Sequence, residues 1–152
     1  MTDTKKSCSV EQQMAEDEMF RLIEKELCCD VDRNVRVTMD KNRSVHIEPD
    51  FYSEEHGIIG EIFAHIGRNK RGQTTKIAND ILKMLLLEKD RGRTFQKIII
   101  VCDGQEEKAL SGNSALAESI RQFGIELRRV EISDELKREI LAAQSRQIMR
   151  NG

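Results

Sequence analysis

The chain of 152 residues contains no tryptophan, one tyrosine and a single proline, Pro49. It has no apolar run near the roughly 18–20 residues that a membrane-spanning helix needs. The first nine residues, Met1 to Ser9, are polar and carry lysines but no apolar stretch, so they do not read as a secretory signal. They read as a flexible N-terminus (1–9) before one domain over 10–150, with the cytoplasm as the expected compartment. Four cysteines, Cys8, Cys28, Cys29 and Cys102, show no C-x-x-C spacing, which argues against a zinc knuckle or a redox dithiol. Free structural thiols are expected, as suits a reducing compartment. Repeats, low-complexity tracts and linkers are also missing. With 38% apolar residues, the chain is long enough to bury a sizeable core.

The formal net charge of −2 hides an uneven distribution. Residues 1–65 carry 8 basic and 15 acidic side chains, whereas residues 66–97 carry 9 basic and 3 acidic. Overall acidity argues against non-specific coating of nucleic acid. An acidic half followed by a basic segment nevertheless suits an enzyme acting on a phosphate polymer, provided a cation mediates.

Ser9-x-x-Gln12 is a capping-box signal before Met19, Leu22, Ile23 and Leu27, predicting an amphipathic helix over about 10–28. Val35 to Met39 alternates as a strand, Asp40-Lys41-Asn42 makes a turn, and a second strand runs over about 44–49. The third spans 58–66. From Thr74 the period becomes helical until Asp90-Arg91-Gly92. Lys97 to Cys102 is a nearly continuous apolar run, hence a buried central strand. A turn at Asp103-Gly104, a helix over 114–123, a strand over 125–132 and a helix capped by Ser133 complete the order α-β-β-β-α-β-α-β-α.

Two carboxylates stand out in this pattern. Asp50 follows the second strand and Glu61 lies mid-strand on the third, with Tyr52, Ser53 and Gly57 in a connection suited to a hairpin. Such a hairpin sets the two acids side by side. A shared divalent cation of the Mg²⁺ type, which prefers oxygen ligands, relieves their repulsion. Glu61 is the harder of the two to explain as structure, because an unpaired mid-strand carboxylate is expensive to bury. On the helix that follows, Gln73, Lys76, Asp80 and Lys83 form one stripe opposite Ile77, Ile81 and Leu85. That stripe could bring Lys76 toward Glu61.

At these residues the chain resembles the PD-(D/E)xK phosphodiesterase superfamily. Pro49-Asp50 matches its first motif, and Glu61 in Gly60-Glu61-Ile62 matches the second acid. The resemblance implies a restriction-endonuclease-like, three-layer α/β/α fold with a mixed central sheet. It also implies Asp50 and Glu61 as ligands of Mg²⁺, or of Mn²⁺ as a substitute, with an acid of the first helix, Glu18 or Glu24, joining them. The superfamily's lysine, two positions after the second acid, is Phe63 here. Some members carry that lysine on the following helix instead, which makes Lys76 the candidate catalytic cation. His65 is the alternative, as proton carrier or phosphate contact. Gln73 and the basic loop Arg68, Lys70 and Arg71 become candidate substrate contacts.

The implied activity is hydrolysis of nucleic acid, DNA in the first instance, by a homodimer or a member of a larger complex. Loss of the motif lysine points to an alternative, a catalytically inactive module of the same fold that binds nucleic acid or protein. A third reading makes the chain a structural subunit that pairs through Leu85-Leu86-Leu87.

Overall fold

Three consecutive isoleucines, Ile98, Ile99 and Ile100, are fully buried, because the strand that carries them is covered on both faces. The computed structural model describes residues 10–67 and 71–151. The expected flexible segment 1–9 therefore lies outside the described residues, as do Arg68 and Lys70.

Helix α1 (Val10–Leu27) is followed by five short strands, β1 (Asp32–Arg33), β2 (Val37–Thr38), β3 (His46–Ile47), β4 (Phe51–Ser53) and β5 (Ile58–Phe63). Then come α2 (Arg71–Arg91), β6 (Gln96–Val101), α3 (Gly104–Leu110), α4 (Ala115–Gln122), β7 (Ile125–Arg129) and α5 (Asp134–Asn151). The main sheet has the order β1-β4-β5-β6-β7. The pairs β1·β4 and β4·β5 are antiparallel, while β5·β6 and β6·β7 are parallel. The protein is thus a mixed α/β fold with a five-stranded mixed sheet. Two of the expected strands, now β2 and β3, are cut down to two residues each and pair only with each other, as a separate ribbon.

Period-two alternation divides the core. Ile59 and Phe63 of β5 and Ile99 and Val101 of β6 face Ile77, Ile81, Met84 and Leu87 of α2, together with Leu110 of α3 and Ile120 of α4. Ile58 and Ile62 of β5 and Ile98 and Ile100 of β6 face Ala15, Met19 and Ile23 of α1 and Ile140 of α5. Helices therefore cover both faces, as a parallel β5-α2-β6 unit requires.

Three expectations are corrected. Phe51, Tyr52 and Ser53, assigned to the hairpin connection, form strand β4, because Phe51 and Tyr52 each fill a core on opposite faces. The turn itself is only 54–57, with Gly57 at φ +65°. Asp103-Gly104 is the start of α3 rather than a simple turn. Leu85-Leu86-Leu87 is not one pairing face: Leu87 is fully buried, Leu85 packs on the core and only Leu86 is exposed. Among the described residues Cys28, Cys29 and Cys102 are free thiols. No helix among them is long and apolar enough to cross a membrane.

Candidate functional site

Glu61 lies between Ile59 and Phe63 on the α2-facing side of β5, where alternation forces it inward. Phe51 pairs with Gly60 across the β4–β5 hairpin, so one further step of register sets Asp50 opposite Glu61. The approach of these strands depends on Gly60, since a Cβ there would lie 1.8 Å from Cζ of Phe51. Asp50 is pinned by the backbone N–H of Ile62, which donates to its Oδ2 at 2.8 Å. Its backbone carbonyl accepts from the Asn34 N–H at 3.1 Å. Burial first, then the charges of Asp50 and Asp80, hold the Glu61 carboxyl well above its ordinary range, with Lys76 opposing.

These two acids sit in a cleft of about 660 Å³ between α1, the β1–β4 edge and α2. Helix α1 contributes Gln13, Glu16 and Asp17, and β1 with the residue after it contributes Arg33 and Asn34. His46, Ile47 and Glu48 form one lip, while Lys76, Asp80 and Lys83 come from successive turns of α2. Glu16 is raised to about 7, chiefly by burial and then by the Asp50 charge, against the pull of Lys76 and Arg33. Asp80 is raised to about 6 by burial, which outweighs Lys76 and Lys83. It is 6% exposed, its Oδ2 accepts no hydrogen bond from the described residues, and Lys83 approaches Oδ1 only to 3.8 Å. Arg33 is tied to Asp17 and lies 5.0 Å from the ring centroid of Phe20. Lys76 Nζ lies 5.4 Å from the ring centroid of Phe63.

Of the residues anticipated from sequence, the cleft brings together Asp50, Glu61 and Lys76. Glu18 points elsewhere: its Oε2 accepts from the backbone N–H of Ser133, before α5, at 3.4 Å. Glu24 and Gln73 also lie outside the cleft lining, as does Arg71, exposed at the first position of α2. His65 follows the end of β5 and does not line the cleft; its carbonyl accepts from the Cys102 thiol at 3.7 Å. Glu16 and Asp80 were not assigned roles from the sequence. The phase of α1 selects Glu16 over Glu18. At about 100° per residue, Glu16 lies near one edge of the Ala15–Met19–Ile23 stripe, and Glu18 lies beyond the other, toward α5. The signal for Asp80 was its place four residues after Lys76.

Among the described residues, no group of three or more His, Cys, Asp or Glu side chains is arranged to hold a metal ion. The donors present are hard carboxylate oxygens, one of them buried without a hydrogen-bond donor. They fit Mg²⁺, which keeps several waters and typically takes only one or two carboxylates plus substrate phosphate. They do not fit zinc, which favours nitrogen and sulfur. Comparison of the chain with protein-family models, characterised proteins and solved structures gave no match.

Proposed function

We propose that the chain is a metal-dependent phosphodiesterase of the restriction-endonuclease-like type, acting on DNA. The observation that carries this reading is the meeting of Asp50, Glu61, Glu16 and Asp80 with Lys76 in one cleft. Buried acids that repel each other are retained at a price in stability, and perturbed carboxylates in a cleft mark functional sites. Two further features support it. An acid of the first helix, Glu16, joins the pair, and the lysine absent from position 63 has a counterpart on α2. The sheet, with α1 on one face and α2 on the other, is compatible with the expected three-layer arrangement.

Asp50 and Glu61 would hold Mg²⁺ or Mn²⁺, with Glu16 lining the same cleft. The ion would supply Lewis-acid polarisation of a phosphoryl oxygen and a lowered pKa for water. Lys76 places a positive charge beside Glu61, where negative charge accumulates as the phosphodiester is attacked. Glu16, at about 7, is poised to accept or return a proton near neutrality. Asp50 keeps its orientation through the Ile62 N–H.

Mn²⁺ titration by calorimetry, with Mg²⁺-dependent cleavage of plasmid and single-stranded DNA, tests the reading. Wild-type protein should bind Mn²⁺ and cut, and Asp50→Ala should lose both. Absence of binding and of cleavage in the wild type would sink the proposal. Phe63 favours one second reading, a non-catalytic module of the same fold that binds nucleic acid or protein. Mn²⁺ binding without any cleavage would select it.

A further inference from the structure

Phe63 is 7% exposed and sits two residues beyond Glu61 on the same face of β5. Its ring packs among Ile59, Ile77 and Val101, yet it also meets the Lys76 ammonium, 5.4 Å from the ring centroid. A lysine on a helix reaches the floor of a cleft only through four flexible methylenes, so something on the floor has to fix its end. The negative face of an aromatic ring attracts an ammonium without neutralising it, whereas a carboxylate would bind it as an ion pair. Asp80 sits one turn further along α2 and is itself approached by Lys83.

We propose that Phe63 is a positioning residue, its ring forming a platform that holds the Lys76 ammonium beside Glu61. Strand and helix then share what one strand lysine would do: the strand supplies a π face at position 63 and the helix supplies the charge. The geometric part stands by itself. The catalytic consequence rests on the nuclease reading given above.

Two measurements on the full chain separate these. In the first, lysines are ¹³C-dimethylated and the Lys76 signal is assigned with Lys76→Arg. The ring current should displace that signal upfield of the other lysines. Phe63→Leu should remove the displacement and Phe63→Tyr should keep it. A Lys76 signal inside the common lysine band in the wild type overturns the proposal, and this readout holds even if Phe63→Leu does not fold. The second measurement is Mg²⁺-dependent cleavage of plasmid DNA. Phe63→Leu should lower kcat roughly two- to thirty-fold, the worth of a cation–π contact between exposed and desolvated limits, with KM unchanged. Lys76→Ala should lose activity, and adding Phe63→Lys to it should restore a measurable part. An unchanged kcat in a folded Phe63→Leu protein that cleaves DNA overturns the platform and leaves the nuclease reading standing. A wild type that cuts nothing while showing the upfield signal ends the nuclease reading and supports the platform.

Discussion

Glu106 is fully buried on α3, and neither of its carboxylate oxygens has a hydrogen-bond partner among the described residues. Burial, then the neighbouring charge of Asp103, pushes its pKa from 4.5 up to about 8. The folded chain therefore holds a proton that the unfolded chain releases above pH 4.5. Stability from this group is fully present near pH 4 and falls as pH rises through the interval to about 8. The limiting slope is about 1.4 kcal/mol per pH unit, so the loss amounts to a few kcal/mol. Glu106→Gln should match the wild type in urea denaturation near pH 4 and exceed it at pH 8. An equal pH dependence in both proteins would show that Glu106 is hydrated or partnered in solution. Nothing in the sequence marks Glu106, because only the packing of α3 against the sheet buries it.

At the scale of elements, legibility followed the length of the pattern. Helices α1, α2, α4 and α5 lie close to their expected places because the helical period repeats along them, and β6 does because its apolar run marks a strand covered on both faces. Strands β5 and β7 start as expected, but each stops three residues short of its expected end, at Phe63 and at Arg129. Strands β1 and β4 have two and three residues, too few for a period to appear, and their pairing is imposed by β5. Gly60 makes that pairing possible. Gly60→Ala would drive a methyl into the Phe51 ring, and overpacking of this kind costs about 1–3 kcal/mol. It should also splay Asp50 from Glu61, so that Mn²⁺ binding falls with stability. Phe51→Leu in the same chain should recover part of both. If Gly60→Ala melts like the wild type, the hairpin has more freedom than its close packing implies. The link from α2 to β6 is held differently. Lys97 Nζ lies 2.7 Å from Glu88 Oε2, which also accepts from the Phe95 N–H at 2.8 Å. Lys97→Met strands that carboxylate and should cost about 3–5 kcal/mol by denaturant titration. Lys97→Met with Glu88→Gln should recover most of the loss, because a glutamine oxygen still accepts from Phe95.

Taken as a whole molecule, the cleft is acidic. Among its described lining residues Glu16, Asp17, Glu48, Asp50, Glu61 and Asp80 face Arg33, Lys76 and Lys83. A polyanion entering it would meet repulsion unless a cation intervened, which is the part the proposed reading gives to Mg²⁺. The pair Asp50 and Glu61 was legible because one acid ends a strand, the other lies mid-strand, and a hairpin between them sets them opposite. The sequence left Glu16 and Asp80 obscure, because their burial arises only where α1 and α2 close over the sheet. The consequence is an opposed pair of effects. In EDTA, Asp50→Asn with Glu61→Gln should be more stable than the wild type above neutral pH, since the cost of burying charge and the mutual repulsion are gone. With Mn²⁺ at about a hundred times its dissociation constant, the wild type should gain about 2.7 kcal/mol, or roughly 5–10 °C in Tm for a chain of this size. The double variant should gain nothing. DNA retention on a filter should likewise require the divalent ion in the wild type. Equal stabilisation of both proteins by Mn²⁺ would place the ion on the outer surface, away from positions 50 and 61, and would remove the reason for keeping a strained acidic floor.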